Sequence, residues 1–82
     1  MKVRYFAWLK DITKTDVEEI NHKSIKNVET LKKYICIKHP KLKKYFYEKD
    51  IIRISINLNY SNKNNIILAD DEIALFPPVS GG

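Results

Sequence analysis

The 82-residue chain holds only two glycines, and they are its last two residues, Gly81 and Gly82. Average usage of about 7% would place roughly six in a chain of this length. The turns must therefore be made without the residue that enters left-handed backbone most readily, and the work falls to Asn, Asp, Ser and Pro. The most permissive backbone is gathered at the carboxyl end, where a thin projecting tail is expected. At the usual ~100–150 residues per domain, only one domain is expected. Such a domain hides only about 60–65% of the surface its unfolded chain exposes. A carrier or binding module is favoured over an enzyme with a deep active site.

Fifteen Lys and Arg against ten Asp and Glu give a net charge of +5, and 44% hydrophobic residues place the chain among globular proteins. Cys36 is alone, which excludes an intramolecular disulfide and fits a reducing, cytoplasmic location. Charges at Lys2, Arg4 and Lys10 break the N-terminal apolar pattern, so no signal peptide is expected. No stretch approaches the ~18 apolar residues of a membrane span, and no membrane partner is expected.

Residues 2–10 alternate as a strand, with Val3, Tyr5, Ala7 and Leu9 on a core face and Lys2, Arg4, Phe6, Trp8 and Lys10 on the other. Asp11 to Asp16 reads as a turn and Val17 to His22 as a second, weaker strand. Asn27 stands where a helix N-cap belongs, with Glu29 favourable in the first turn. Val28, Leu31 and Ile35 form a core-facing helical stripe that Pro40 ends, and Leu42 and Phe46 suggest one further short turn between Lys41 and Lys49. Ile51 to Leu58 is a strand with Ile52, Ile54, Ile56 and Leu58 on one face. An asparagine-rich turn region, 57–65, precedes a short edge strand at Ile66 to Leu68. A turn at Asp70 and Asp71 then leads to a last strand from Glu72 to Phe76.

Pro77 and Pro78 stop that strand, because neither offers an amide hydrogen to a ladder. The order predicts an α+β fold, a ubiquitin-like β-grasp with a mixed sheet and one main helix packed across it. Residues 1–78 would form the domain and 79–82 a flexible Gly-Gly tail.

The ending from Ala74 to Gly82, Ala-Leu-Phe-Pro-Pro-Val-Ser-Gly-Gly, resembles the C-terminal signature of the molybdopterin synthase small subunits, sulfur carriers of the MoaD/ThiS family. The resemblance extends to Lys2 through Ala7, Val28 through Leu31, Ile56-Asn57 and Asp71 through Ala74, and is poor over 38–50 and 57–65. The family usually has Asp-Gly-Asp-Glu before the last strand, where this chain has Ala69-Asp70-Asp71-Glu72. Asp70 takes the glycine's place, so a somewhat strained left-handed turn is expected there.

The resemblance implies a carrier whose Gly82 carboxylate is adenylated, converted to a thiocarboxylate, and then made to donate sulfur to a pterin precursor in molybdenum cofactor biosynthesis. A carboxylate is a poor electrophile, and the chain has neither a phosphate-binding loop nor a catalytic set of its own. ATP would be used by an activating partner, and no cofactor bound by this chain is expected. Gly81 and Gly82 lack Cβ atoms, so they can pass a narrow channel and leave the terminal carbonyl unshielded. The resemblance also implies a large synthase subunit as partner, in a heterotetramer. Partner contacts are expected at Phe6, Tyr60 and Phe76 and along Pro77, Pro78, Val79 and Ser80, with Phe76 facing outward beside Glu72 and Ala74, opposite core residues Ile73 and Leu75. The alternatives are a thiamin-thiazole sulfur carrier and a ubiquitin-like modifier joined to lysines through Gly82.

The remaining residues have plainer readings. Lys38, Lys41, Lys43 and Lys44 beside Tyr45, Phe46 and Tyr47 read as a solvated face, since lysines lack the base-reading fork of arginine, and no nucleic acid partner is expected. Cys36 reads as a small apolar filler. His22 and His39 lack companions at metal-ligand spacing, so no metal is expected.

Overall fold

Two strands of the sheet's centre run parallel and form its axis. In the computed structural model, which describes residues 1–61 and 65–78, β1 (Lys2–Tyr5) pairs in parallel with the last strand, β5 (Glu72–Phe76). The edge strand β2 (Val17–Glu19) pairs antiparallel with β1, while β3 (Arg53–Ile56) pairs antiparallel with β5 and with the short β4 (Asn59–Tyr60). The order β2-β1-β5-β3-β4 makes a mixed five-stranded open sheet, the ubiquitin-like β-grasp. The main helix, α2 (Val28–Lys38), lays Val28, Leu31 and Ile35 into one core with Val3, Tyr5, Ile54, Ile73 and Leu75.

The helix begins and ends where local chemistry dictates. Asn27 is extended, and its Oδ1 accepts from the Thr30 amide at 2.9 Å while Thr30 Oγ1 accepts from the Asn27 amide at 3.0 Å. This reciprocal box satisfies amides that the first turn leaves without helical partners. At the other end His39, at φ −127 and ψ 78, precedes Pro40 and leaves helical geometry. The chain then makes two turns, a 3₁₀ turn at Pro40–Leu42 and a wider π turn at Lys44–Glu48, where one was expected. Each still buries the residue that announced it, Leu42 or Phe46.

Several expectations are corrected. The strand expected over 2–10 ends at Tyr5, and a second short helix, α1 (Leu9–Thr13), occupies what was to be strand and turn. Phe6 donates its amide to Leu75 at 3.0 Å as the last sheet bond, and Ala7, at φ 55, then turns the chain away and stays exposed. Leu9 is fully buried all the same, delivered by a helix instead of a strand. The strand expected from Val17 to His22 keeps only its first three residues, with Ile20 buried beyond it.

The expected edge strand at Ile66 to Leu68 does not exist. Ile66 makes one isolated bridge to Asn27, and the segment instead follows the chain entering α2, with the Ile67 amide donating to Lys26 at 3.0 Å. That drops Ile67 into the core and leaves Ile66 and Leu68 exposed. The sheet edge is taken by Asn59–Tyr60, from the asparagine-rich passage. Leu58, expected on the core face, lies in the two-residue loop between Ile56 and Asn59 and is exposed. Asp70 does not take a left-handed conformation. The turn there closes because the Asp71 amide donates to the Leu68 carbonyl and Asp71 Oδ2 accepts from the Leu68 amide at 2.8 Å. Among the described residues, left-handed backbone falls on Ala7, Lys14, Asp50, Asn57 and Leu58. The restriction to Asn, Asp, Ser and Pro therefore holds at only two of these positions, and each left-handed non-glycine residue costs on the order of 1–2 kcal/mol.

One polar cluster ties the edge strand to the helix. Glu18 points inward from β2, where its Oε1 accepts from the Tyr5 hydroxyl at 2.6 Å and lies 3.1 Å from His39 Nε2, while Oε2 pairs with Lys38 Nζ. Burial raises the Glu18 pKa, but the hydrogen bonds from Lys38, Tyr5 and His39 outweigh it and hold the carboxyl below the ordinary glutamate value. Because the folded value is depressed, the stabilisation is complete above the unfolded glutamate pKa and is lost as pH falls through the folded value. At neutral pH, Glu18→Gln is expected to lose about 1.5–3 kcal/mol, the worth of hydrogen bonds to a charged group. Urea unfolding at pH 7 and at pH 3 tests this. The gap between wild type and variant should shrink on acidification, and a gap independent of pH would assign the loss to packing alone.

Candidate functional site

The helix covers one face of the sheet and leaves the other open. The register writes that open face residue by residue: Val17 lies opposite Arg4, Arg4 opposite Ala74, Ala74 opposite Ser55, and Ser55 opposite Tyr60. Two residues further along the strands, Arg53 lies opposite Phe76, and Phe6 returns to this face beside the end of β5. Strand alternation thus sends Phe76 outward with Glu72 and Ala74, while Ile73 and Leu75 point into the core with no exposed surface.

The face is apolar near Phe76, at the end of β5. Phe6 is 46% and Tyr60 81% exposed, and the rings of Tyr60 and the half-buried Phe76 lie 6.0 Å apart at 56°. Exposed aromatics on an uncovered sheet offer rigid contact area at small entropic cost. The polar rim includes Arg4, whose Nε donates to Glu72 Oε1 at 3.1 Å. Pro77 is half-buried and Pro78 exposed immediately beyond Phe76. The expected site residues Phe6, Tyr60 and Phe76 are thus brought to one face, and Pro77 and Pro78 follow Phe76 directly in the chain. Val79, Ser80, Gly81 and Gly82 lie outside the described residues.

The other flagged residues are placed elsewhere. Trp8, expected on the open face beside Phe6, stands past the end of β1 and packs edge-on against Tyr45, with ring centroids 4.9 Å apart. Lys44 Nζ lies 5.1 Å from the Tyr45 ring centre, and Lys41, Lys43 and Lys44 are exposed, a solvated basic face. Cys36 is half-buried on α2, and burial pushes its thiol pKa up, which disfavours the reactive thiolate. His22 pairs through Nδ1 with the Ser24 hydroxyl at 2.7 Å, and His39 belongs to the Glu18 cluster. Among the described residues no three His, Cys, Asp or Glu side chains gather as a metal site, and no helix is long and apolar enough to cross a membrane.

Sequence reasoning missed Glu18 and Leu58. Alternation along β2 does place Glu18 inward between Val17 and Glu19, but a carboxylate in a three-residue strand gives no core signal. Leu58 looked like the fourth member of an isoleucine stripe, and only the hairpin geometry removes it.

The described geometry has close relatives among solved structures. A Pyrococcus furiosus protein described as molybdopterin converting factor subunit 1 is 29% identical, with 95% of each chain covered and a TM-score of 0.82. Small archaeal modifier protein 1 from Methanosarcina acetivorans is 28% identical over 99% of this chain and 94% of that one, with a TM-score of 0.81. A complex of subunits 1 and 2 of the molybdopterin-converting factor from Helicobacter pylori matches at 26% identity and a TM-score of 0.66, covering 99% of this chain and 96% of the matched one. The ThiS family model matches residues 3–82, so the chain belongs to the ThiS family of ubiquitin-like β-grasp sulfur carriers and small modifiers.

Proposed function

We propose that this protein is the sulfur-carrier small subunit of a molybdopterin synthase. The observation that carries the reading is the aromatic cluster of Tyr60 and Phe76, with Phe6 on the same open face, at the root of the segment leading to Gly82. A carrier needs this arrangement. The domain docks on a partner by its open face while the terminal carboxylate reaches a reaction centre the partner owns.

In the proposed cycle, the Gly82 carboxylate attacks the α-phosphate of ATP on an activating enzyme, releasing pyrophosphate. A sulfur nucleophile then displaces AMP and leaves a thiocarboxylate. Docked on the large synthase subunit, the carrier gives its sulfur to the pterin precursor. The chain's own residues bind and position, and the activating enzyme and large subunit do the chemistry. The Helicobacter pylori neighbour, solved as a complex of subunits 1 and 2, supports a large-subunit partner. Incubation with the cognate activating enzyme, ATP and a sulfur source should raise the intact mass by the difference between sulfur and oxygen. An unchanged mass would reject sulfur carriage.

The likeness to small archaeal modifier protein 1 favours a second reading, conjugation to lysines through Gly82. Adenylation is common to both. Lysines bearing this tail in cell extracts, above all under stress, would establish conjugation. Co-purification with a thiazole-forming partner in place of a large synthase subunit would assign the protein to thiamin synthesis.

A further inference from the structure

The β3–β4 hairpin holds an exposed leucine in left-handed backbone. Asn57 and Leu58 form the two-residue loop with φ of 50 and 72, the positive pair of a type I′ turn. Asparagine suits the first position. At the second, glycine or asparagine would serve without a branched side chain, yet a leucine stands there with 91% of its surface exposed. That leucine adds nothing to the core.

The turn is also clamped. The Asn57 amide donates to the Glu72 carbonyl at 2.8 Å, the Glu72 amide donates to Asn57 Oδ1 at 2.9 Å, and Asn57 Nδ2 donates to Asp71 Oδ1 at 2.8 Å. The clamp holds Asn57, and Leu58 follows it at the rim of a depression of about 260 Å³ lined by Ser55, Asn57, Leu58, Glu72 and Ala74. Ser55 and Ala74 belong to the open face, and Ser55 is opposite Tyr60, so the depression is continuous with the aromatic cluster. A strained residue that the fold does not need, beside an interface, is a reason to look for function.

We propose that this depression is a second anchor subsite of the docking face, taking a lysine or arginine side chain of the large synthase subunit. Small Ser55 and Ala74 leave room for the aliphatic stem, Leu58 covers it from the rim, and the Glu72 carboxylate receives the cationic head. Glu72 has acceptor capacity to spare, because Arg4 Nε engages only Oε1.

The subsite rests on the synthase reading, and calorimetric titration of the large subunit into wild type, Leu58→Gly, Leu58→Met, Glu72→Gln and Phe76→Ala separates the two. Leu58→Gly should melt higher than wild type, because strain is relieved, and yet bind about tenfold more weakly, the loss of a contributing interface side chain. Leu58→Met, which keeps apolar cover, should bind within a few-fold of wild type. Glu72→Gln should bind about tenfold more weakly with a flatter salt dependence. If Phe76→Ala weakens the complex while Leu58→Gly and Glu72→Gln bind like wild type, the subsite is wrong and the synthase reading stands. A lower melting temperature in Leu58→Gly would assign Leu58 to the fold and overturn the subsite. A wild type that does not bind the large subunit removes both.

Discussion

Deleting Gly82, or adding one residue after it, is expected to abolish sulfur loading and leave the melting temperature unchanged. The size of the effect follows from reach. One residue of extended chain spans about 3.3–3.6 Å, so either change moves the reacting carboxyl carbon by that distance within the partner's active site. A misplacement of about 1 Å can already cost on the order of a hundredfold in rate. Extension also replaces the carboxylate at Gly82 with a peptide carbonyl, which cannot form the adenylate. The melting temperature is expected to hold because, among the described residues, every member of the buried core lies between Met1 and Leu75. Intact mass after the loading reaction, beside a thermal melt, measures both halves. Synthesis supported by an extended protein that is not trimmed would refute the carrier mechanism.

What could be read in the sequence was what neighbouring residues decide between themselves. Asn27 caps α2 because its side chain reaches an amide three residues on, a purely local event. Ile73 and Leu75 are core and Phe76 is not because strand alternation permits no other outcome once one of them is buried. Failure came where a local pattern had two solutions and distant contacts chose. Leu9 suits a strand's core face and a helix's equally well. The bond from Phe6 to Leu75 that ends the ladder, and the left-handed turn at Ala7, are invisible in the alternation. Ile66-Ile67-Leu68 has strand composition, but β4 takes the edge of β3, and the segment lies instead along the entry to α2.

The site was legible to a different degree. The outward direction of Phe76 follows from period two alone, whereas the meeting of Tyr60 with it across the sheet depends on a hairpin register that the asparagine-rich passage hides. Glycine's scarcity suggested a tail at residues 79–82, which lie outside the described residues, and it misjudged the described turns. Lys14 closes α1 as a left-handed C-cap, its amide donating to Lys10 at 2.9 Å, a place where glycine is the usual choice. Tertiary packing carries these positions at a cost the sequence does not display.

Replacing Phe76 by Ala is expected to weaken binding of the large subunit by about 2 kcal/mol, roughly thirtyfold, as truncation of an aromatic interface anchor does. The free domain should lose much less than the 3–5 kcal/mol of a core Phe→Ala change, because Phe76 is half-buried, lies outside the core cluster and meets Tyr60 on the open face. Leu75 supplies the internal control. It is one residue away and fully buried, so Leu75→Ala should cost the fold about 2–5 kcal/mol, while whatever remains folded binds normally. The two variants thus trade places between a calorimetric titration and a thermal melt. That inversion across a single peptide bond tests the claim that β5 has one face for the fold and one for the partner. A Phe76→Ala domain that is strongly destabilised yet binds normally when folded would put the ring in the core and remove the docking face on which the carrier reading depends.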